Sequence, residues 1–126
     1  MRKLILKKCS NCEALVKIIK DCDCKDYGIS CCNTSMKELK ANSNDAAYEK
    51  HVPTYKIEND KIIVTVNHVM EENHFIEWIA CVTDNEEKYI YFKPNEEATA
   101  IFKYQSPCVL YAYCNKHGLW EKEVNN

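Results

Sequence analysis

The chain has 126 residues, with 17 Lys and Arg against 19 Asp and Glu and a formal net charge of -2. This allows one ordinary domain, or a domain with a small appendage, and the interspersed charges leave no basic footprint for nucleic acid. No apolar run approaches the roughly 18 residues of a membrane span. Only Leu4-Ile5-Leu6 separates the first lysine from the next two, too short for a secretory core, so a cytoplasmic location is expected.

Nine cysteines are many for this length, and the number is odd. Secreted frameworks generally pair their cysteines, whereas clustered cysteines in a reducing compartment more often bind metal. Residues 1–38 hold Cys9, Cys12, Cys22, Cys24, Cys31 and Cys32. Ala14–Ile19, rich in β-branched residues, reads as a short strand or hairpin. So short a segment cannot bury a sufficient core alone, and a metal would have to hold it together. Cys9-x-x-Cys12 with adjacent Cys31-Cys32 makes two thiolate knuckles, a tetrahedral set for iron or zinc. A redox dithiol would be expected beside a βαβ pattern, which is absent. Cys22 and Cys24 leave open which four of the six thiols bind. Ala41–Ala47 then reads as a polar linker.

From Glu49 onward short strands recur, at about 55–58, 61–67, 74–82, 87–93, 98–104, 109–114 and 119–124. Turns fall at Asn59-Asp60, at Asp84-Asn85-Glu86 and at Pro94–Glu97. Seven strands without helical periodicity predict an all-β chain: a small metal-bound hairpin unit, then an immunoglobulin-like β-sandwich over residues 39–126. An open barrel is the alternative. Ile62, Val64 and Val66 alternate inward and His68 continues their parity. Ile76 and Trp78 share the parity of His74 and are read as core, and Cys114 falls on the face of Leu110 and Ala112.

The chain has four histidines, His51, His68, His74 and His117, each at the edge of a predicted strand. With Cys114, three residues before His117, they make five imidazole and thiolate ligands, too many for closed tetrahedral zinc. Five ligands leave one octahedral position open, an arrangement for iron. Glu49 and Lys50 precede His51. Alone they are a solvated charge pair, but beside a metal the lysine would attract a small anion. Glu71 and Glu72 read as a solvated turn, and Cys81 and Cys108 as small buried hydrophobes.

Residues 49–53, 68–79 and 114–120 resemble the signature blocks of superoxide reductases. The unit of Cys9, Cys12, Cys31 and Cys32 resembles the desulforedoxin-like domain of their two-iron form, the desulfoferrodoxins. The resemblance implies a mononuclear iron with His51, His68, His74 and His117 equatorial and Cys114 axial. It also implies a rubredoxin-like iron on Cys9, Cys12, Cys31 and Cys32, with zinc as the other candidate. One-electron reduction of superoxide to hydrogen peroxide would follow, a detoxification in which Lys50 steers the anion and Glu49 closes on the oxidised iron. A rubredoxin-type donor and a homodimer are implied as well. This chain departs from the pattern at Val69, where proline is usual. It departs again in its long interval between Cys12 and Cys31, which carries Cys22 and Cys24. Two rival readings are a zinc-knuckle and immunoglobulin-like binding module, and a rubredoxin-like electron carrier without catalysis. Both leave the convergence of four histidines and Cys114 unexplained.

Overall fold

The structure is a computed structural model that describes residues 1–22 and 28–125, so Cys24 lies outside the described residues. It divides into two compact units, one of Leu4–Lys40 and one of Met1–Lys3 with Ala41–Asn126.

The Leu4–Lys40 unit holds five short strands: β1 (Leu6–Lys8), β2 (Leu15–Lys17), β3 (Ser30–Cys31), β4 (Thr34–Ser35) and β5 (Lys37–Glu38). β1 is central in an antiparallel sheet of order β2-β1-β5, and β3 pairs with β4 as a hairpin. The hairpin turns on Cys32 and Asn33, at φ 53° and 59°, the pair of positive values that a two-residue turn of matching twist requires. Between β1 and β2 the Cys9 N–H donates to the Ala14 carbonyl at 3.0 Å, and the Glu13 N–H to the Cys9 carbonyl at 2.9 Å. Closing that turn puts Glu13 at φ 66°. Its buried apolar side chains are Leu6, Cys9 and Met36, a core far too small to fold a chain without other support.

The larger unit carries a 3-10 turn, Tyr48–Lys50, followed by β6 (Thr54–Glu58), β7 (Lys61–Thr65), β8 (Ile76–Val82), β9 (Glu87–Tyr91), β10 (Thr99–Lys103), β11 (Cys108–Cys114) and β12 (Gly118–Val124). One sheet has the order β10-β7-β6 and the other β12-β11-β8-β9, and every pairing is antiparallel. Asn59 and Asp60, at φ 48° and 68°, make the tight β6–β7 turn expected of them. The core lies between the sheets: Ile62, Val64, Ala100 and Phe102 from one meet Ile79, Cys81, Cys108, Leu110, Ala112 and Cys114 from the other. The all-β expectation holds, and Cys81 and Cys108 are buried free thiols within this core.

The shared parity of Ile76 and Trp78 does not hold. Opposite β11 the register runs Tyr113↔Trp78 and then Cys114↔Ile76, so Glu77 is an extra residue. This β-bulge breaks the two-residue alternation. Both side chains are buried as expected, but Ile76 enters the core between the sheets, while Trp78 stacks on Tyr113 at 5.7 Å on the sheet's other face.

Met1–Lys3 joins this unit through side chains. The Arg2 guanidinium donates to the Thr83 carbonyl at 3.0 Å and pairs with Glu87, and Lys3 pairs with Glu121 and, at 3.1 Å, with Glu123. No helix among the described residues is long and apolar enough to cross a membrane.

Candidate metal centres

All five donors expected in the larger unit come together: one donor atom from each of His51, His68, His74, Cys114 and His117 lies within 4.8 Å of every other. Three segments deliver them. The 3-10 turn exposes Glu49 and Lys50 and sends His51 inward, to 4% exposure, with the His51 N–H donating to the Tyr48 carbonyl at 3.1 Å. His68 follows β7, and His74 sits in a turn closed by the Glu71 N–H to His74 carbonyl bond of 2.9 Å. Cys114 ends β11 and His117 precedes Gly118, whose φ of 82° lets the chain turn straight into β12.

The four rings form a square. Neighbouring centroids lie 4.6 Å apart for His51–His68, 4.7 Å for His68–His74, 5.0 Å for His74–His117 and 4.9 Å for His117–His51, with interplanar angles of 69° to 90°. His51 Nε2 is 3.1 Å from both His68 Nε2 and His117 Nδ1. Those separations match the edges, ~3.0 Å, of an octahedron with metal–nitrogen bonds of ~2.1 Å. Cys114 Sγ lies 3.5 Å from His68 Nε2 and 3.8 Å from His117 Nδ1.

The hydrogen-bonding pattern suits a cation at the centre of the group. His51 Nδ1–H donates to the Ala47 carbonyl at 2.7 Å and His68 Nδ1–H to the Val69 carbonyl. Each neutral ring therefore turns an Nε2 lone pair inward, and two such lone pairs cannot bond to one another. His74 Nε2 is buried with no hydrogen-bond partner at all. Burial is the main force holding the His51, His68 and His74 pKa values below the ordinary imidazole range, which keeps them neutral donors. Burial likewise raises the Cys114 thiol, opposed by backbone N–H groups of Lys116 and His117, the latter 3.3 Å from sulfur. A thiolate there needs a positive charge beside it, and imidazoles with a thiolate suit iron, zinc or copper. The residues fit a metal ion.

Two features escaped the sequence reading. The Trp120 indole stacks on His51 at 4.8 Å and 23°, and its Nε1–H donates to the His117 carbonyl at 3.1 Å. Asn115 bonds to the backbone on both sides of His74. Its place between Cys114 and His117 was the available signal, since asparagine readily bonds to nearby backbone. Glu49 and Lys50 act on the charge of His51 with opposite signs, though the Glu49 carboxylate is not among the clustered donors.

In the smaller unit Cys9, Cys12, Cys31 and Cys32 form a second group within the same 4.8 Å. Cys12 and Cys31 sulfurs are 3.5 Å apart, and Cys31 and Cys32 sulfurs 3.9 Å. A tetrahedron with metal–sulfur bonds of ~2.3 Å has edges of ~3.8 Å. Backbone N–H groups of Cys12 and Asn11 lower the Cys9 thiol to about 7, while bonding to the Cys12 and Cys9 thiols raises Cys31 to about 12. Four sulfurs so close cannot all ionise without a cation among them. Cys22 is not a member of this group.

Fold and donors together define a β-sandwich metalloprotein with a four-imidazole, one-thiolate centre and a separate four-thiolate knuckle. The desulfoferrodoxin family profile matches residues 43–123. The chain is 37% identical to the desulfoferrodoxin of Syntrophotalea carbinolica over 96% of this chain and 97% of that one. It is 35% identical to that of Nitratidesulfovibrio vulgaris, over 93% and 94%. It belongs to the desulfoferrodoxin family. Its fold matches the crystal structure of the superoxide reductase from Treponema pallidum with a TM-score of 0.72 at 20% identity, covering 96% of this chain and 99% of that one. The one-iron superoxide reductase from Giardia intestinalis gives 0.55 at 26% identity, over 62% of this chain and 99% of that one.

Proposed function

We propose that this chain is a superoxide reductase, taking superoxide to hydrogen peroxide with one electron and two protons, and so detoxifying it. The observation that carries the proposal is the square of four imidazoles with the Cys114 thiolate. His51, His68, His74, His117 and Cys114 would hold one iron. A ferrous ion held there would supply the one electron that superoxide takes up. The chain's own residues do the rest. Lys50, exposed and one residue from His51, offers a local positive field to a small anion approaching a protein of net negative charge. Glu49, equally exposed and two residues from His51, would serve the oxidised centre as a carboxylate, by binding the iron or by holding water near it.

Cys9, Cys12, Cys31 and Cys32 would hold the second metal, iron or zinc. A reductase consumes one external electron per superoxide, and a rubredoxin-type donor is the partner we assign. A homodimer and a cytoplasmic setting complete the reading.

The test is stoichiometry in protein reconstituted with iron. With an excess of reduced donor, one peroxide per superoxide marks a reductase. One peroxide per two superoxides, with no donor oxidised, would mark a dismutase instead. A protein that binds zinc but never iron at the five-donor group would leave only a binding role.

A further inference from the structure

We propose that Asn115 is the positioning residue that carries His74 into the five-donor group, by serving as a surrogate peptide beyond the end of a sheet. The β8–β11 ladder runs out at the pair Cys114↔Ile76, just past the bulge. One step further the Asn115 N–H still donates to the Phe75 carbonyl, at 3.3 Å. The side chain then extends the ladder. Its Oδ1 accepts the Phe75 N–H at 3.0 Å, and its Nδ2 donates to the Asn73 carbonyl at 2.9 Å. Asn73 and Phe75 flank His74, so one carboxamide holds both sides of that ligand's backbone and ties it to the turn carrying Cys114 and His117.

His74 has particular need of such a tether. His51 and His68 are each pinned through Nδ1–H to a nearby carbonyl, whereas among the described residues no hydrogen bond of this kind holds the His74 ring, whose buried Nε2 is left for a metal. The chemistry selects asparagine. A carboxamide presents a donor and an acceptor together, aspartate only accepts, and glutamine reaches one methylene too far. Without the carboxamide, water takes over at Asn73 and Phe75, and the loop from Glu71 to Phe75 loses its hold on the turn. His51, His68, Cys114 and His117 would remain, a set of four able to hold a metal tetrahedrally.

This inference rests on reading the five donors as one metal centre, and the experiment separates the two. The full chain is first given one equivalent of zinc ion, which the four thiolates take. Cobalt(II) is then titrated, with a chelator as competitor, into the unsubstituted protein, Asn115→Ala, His74→Ala and the double variant. Asn115→Ala should weaken cobalt binding roughly 10- to 100-fold and convert a weak visible spectrum into the intense one of tetrahedral cobalt. His74→Ala should do the same, and the double variant should fall no further than His74→Ala alone. Asn115→Asp, which keeps the bond to the Phe75 N–H, should lie between. If His74→Ala changes affinity and spectrum while Asn115→Ala changes neither, or if the two losses multiply, the role of Asn115 is overturned and the five-donor reading stands. If His74→Ala itself changes nothing, the five-donor reading falls and this inference falls with it.

Discussion

Glu13 sits at φ 66°, where a side chain crowds its own backbone, a cost of roughly 1–2 kcal/mol that glycine avoids. Against this stands its ion pair with Lys8, at 3.7 Å and with the Glu13 side chain exposed, an interaction of the kind worth little. The backbone cost is the larger, so Glu13→Gly should stabilise the Leu4–Lys40 unit by about 1 kcal/mol. Thermal unfolding of that unit with metal bound is the measurement, and a lower midpoint would show that the ion pair dominates. Lys50 offers a second test at this scale. Lys50→Ala should slow superoxide capture and flatten its dependence on ionic strength, because an exposed charge acts through a screened field. Glu49→Ala should leave capture nearly intact while altering the spectrum of the oxidised centre. Rapid-mixing kinetics at low and high salt distinguish the two, and a Lys50→Ala rate unchanged at low salt would remove the steering role.

Elements decide how firmly the ligands are held. β12 follows directly on His117 and brings in Trp120, 1% exposed, which is both stacked on His51 and bonded to the His117 carbonyl. Trp120→Phe keeps a ring against His51 and loses one hydrogen bond, about 1 kcal/mol. Trp120→Ala opens a cavity as well and should cost roughly 3–5 kcal/mol. Urea unfolding of the metal-free protein would show both losses, and equal effects would mean that ring stacking contributes nothing. Periodicity made most strands legible: Ile62, Val64 and Val66 face inward as their alternation requires, and Asn59-Asp60 turns where a hairpin turn was expected. It failed at the bulge, because an extra residue such as Glu77 leaves no mark in an alternating pattern.

Across the whole molecule the two units differ in what keeps them folded. Leu4–Lys40 buries little beyond Leu6, Cys9 and Met36, whereas the larger unit has a continuous core between two sheets. Chelation should therefore unfold the small unit and spare the large one. Limited proteolysis after metal removal should cut within Leu4–Lys40 first, and equal resistance of both units would refute a structural metal. Acid should act on the other unit. With metal removed, His51, His68 and His74 carry pKa values lowered mainly by burial. The unfolded chain then takes up protons below about 6.5 before the folded one does, so stability is lost as the pH falls through that value. The thermal midpoint of the metal-free protein should be level between about pH 7 and 8 and decline below about 6.5. A midpoint indifferent to that interval would place the rings in a more solvated setting.

The sequence by itself determined the kind of chemistry. Four histidines at strand edges and a cysteine after a core-facing row already supply a donor set. Paired cysteines in a stretch too short to have a core already call for a metal. Those conclusions need only residue type, count and local alternation. Tertiary structure decided what depends on neighbours distant in the chain: the cyclic order of the four rings, which nitrogen each turns inward, and the unpartnered Nε2 of His74. It also decided the tethering of His74 through Asn115 and the seating of His51 against Trp120. None of these is encoded locally, because each arises where β7, β8, β11 and β12 end beside one another. The orientation of a side chain there is set by whichever backbone carbonyl or ring the fold brings within reach.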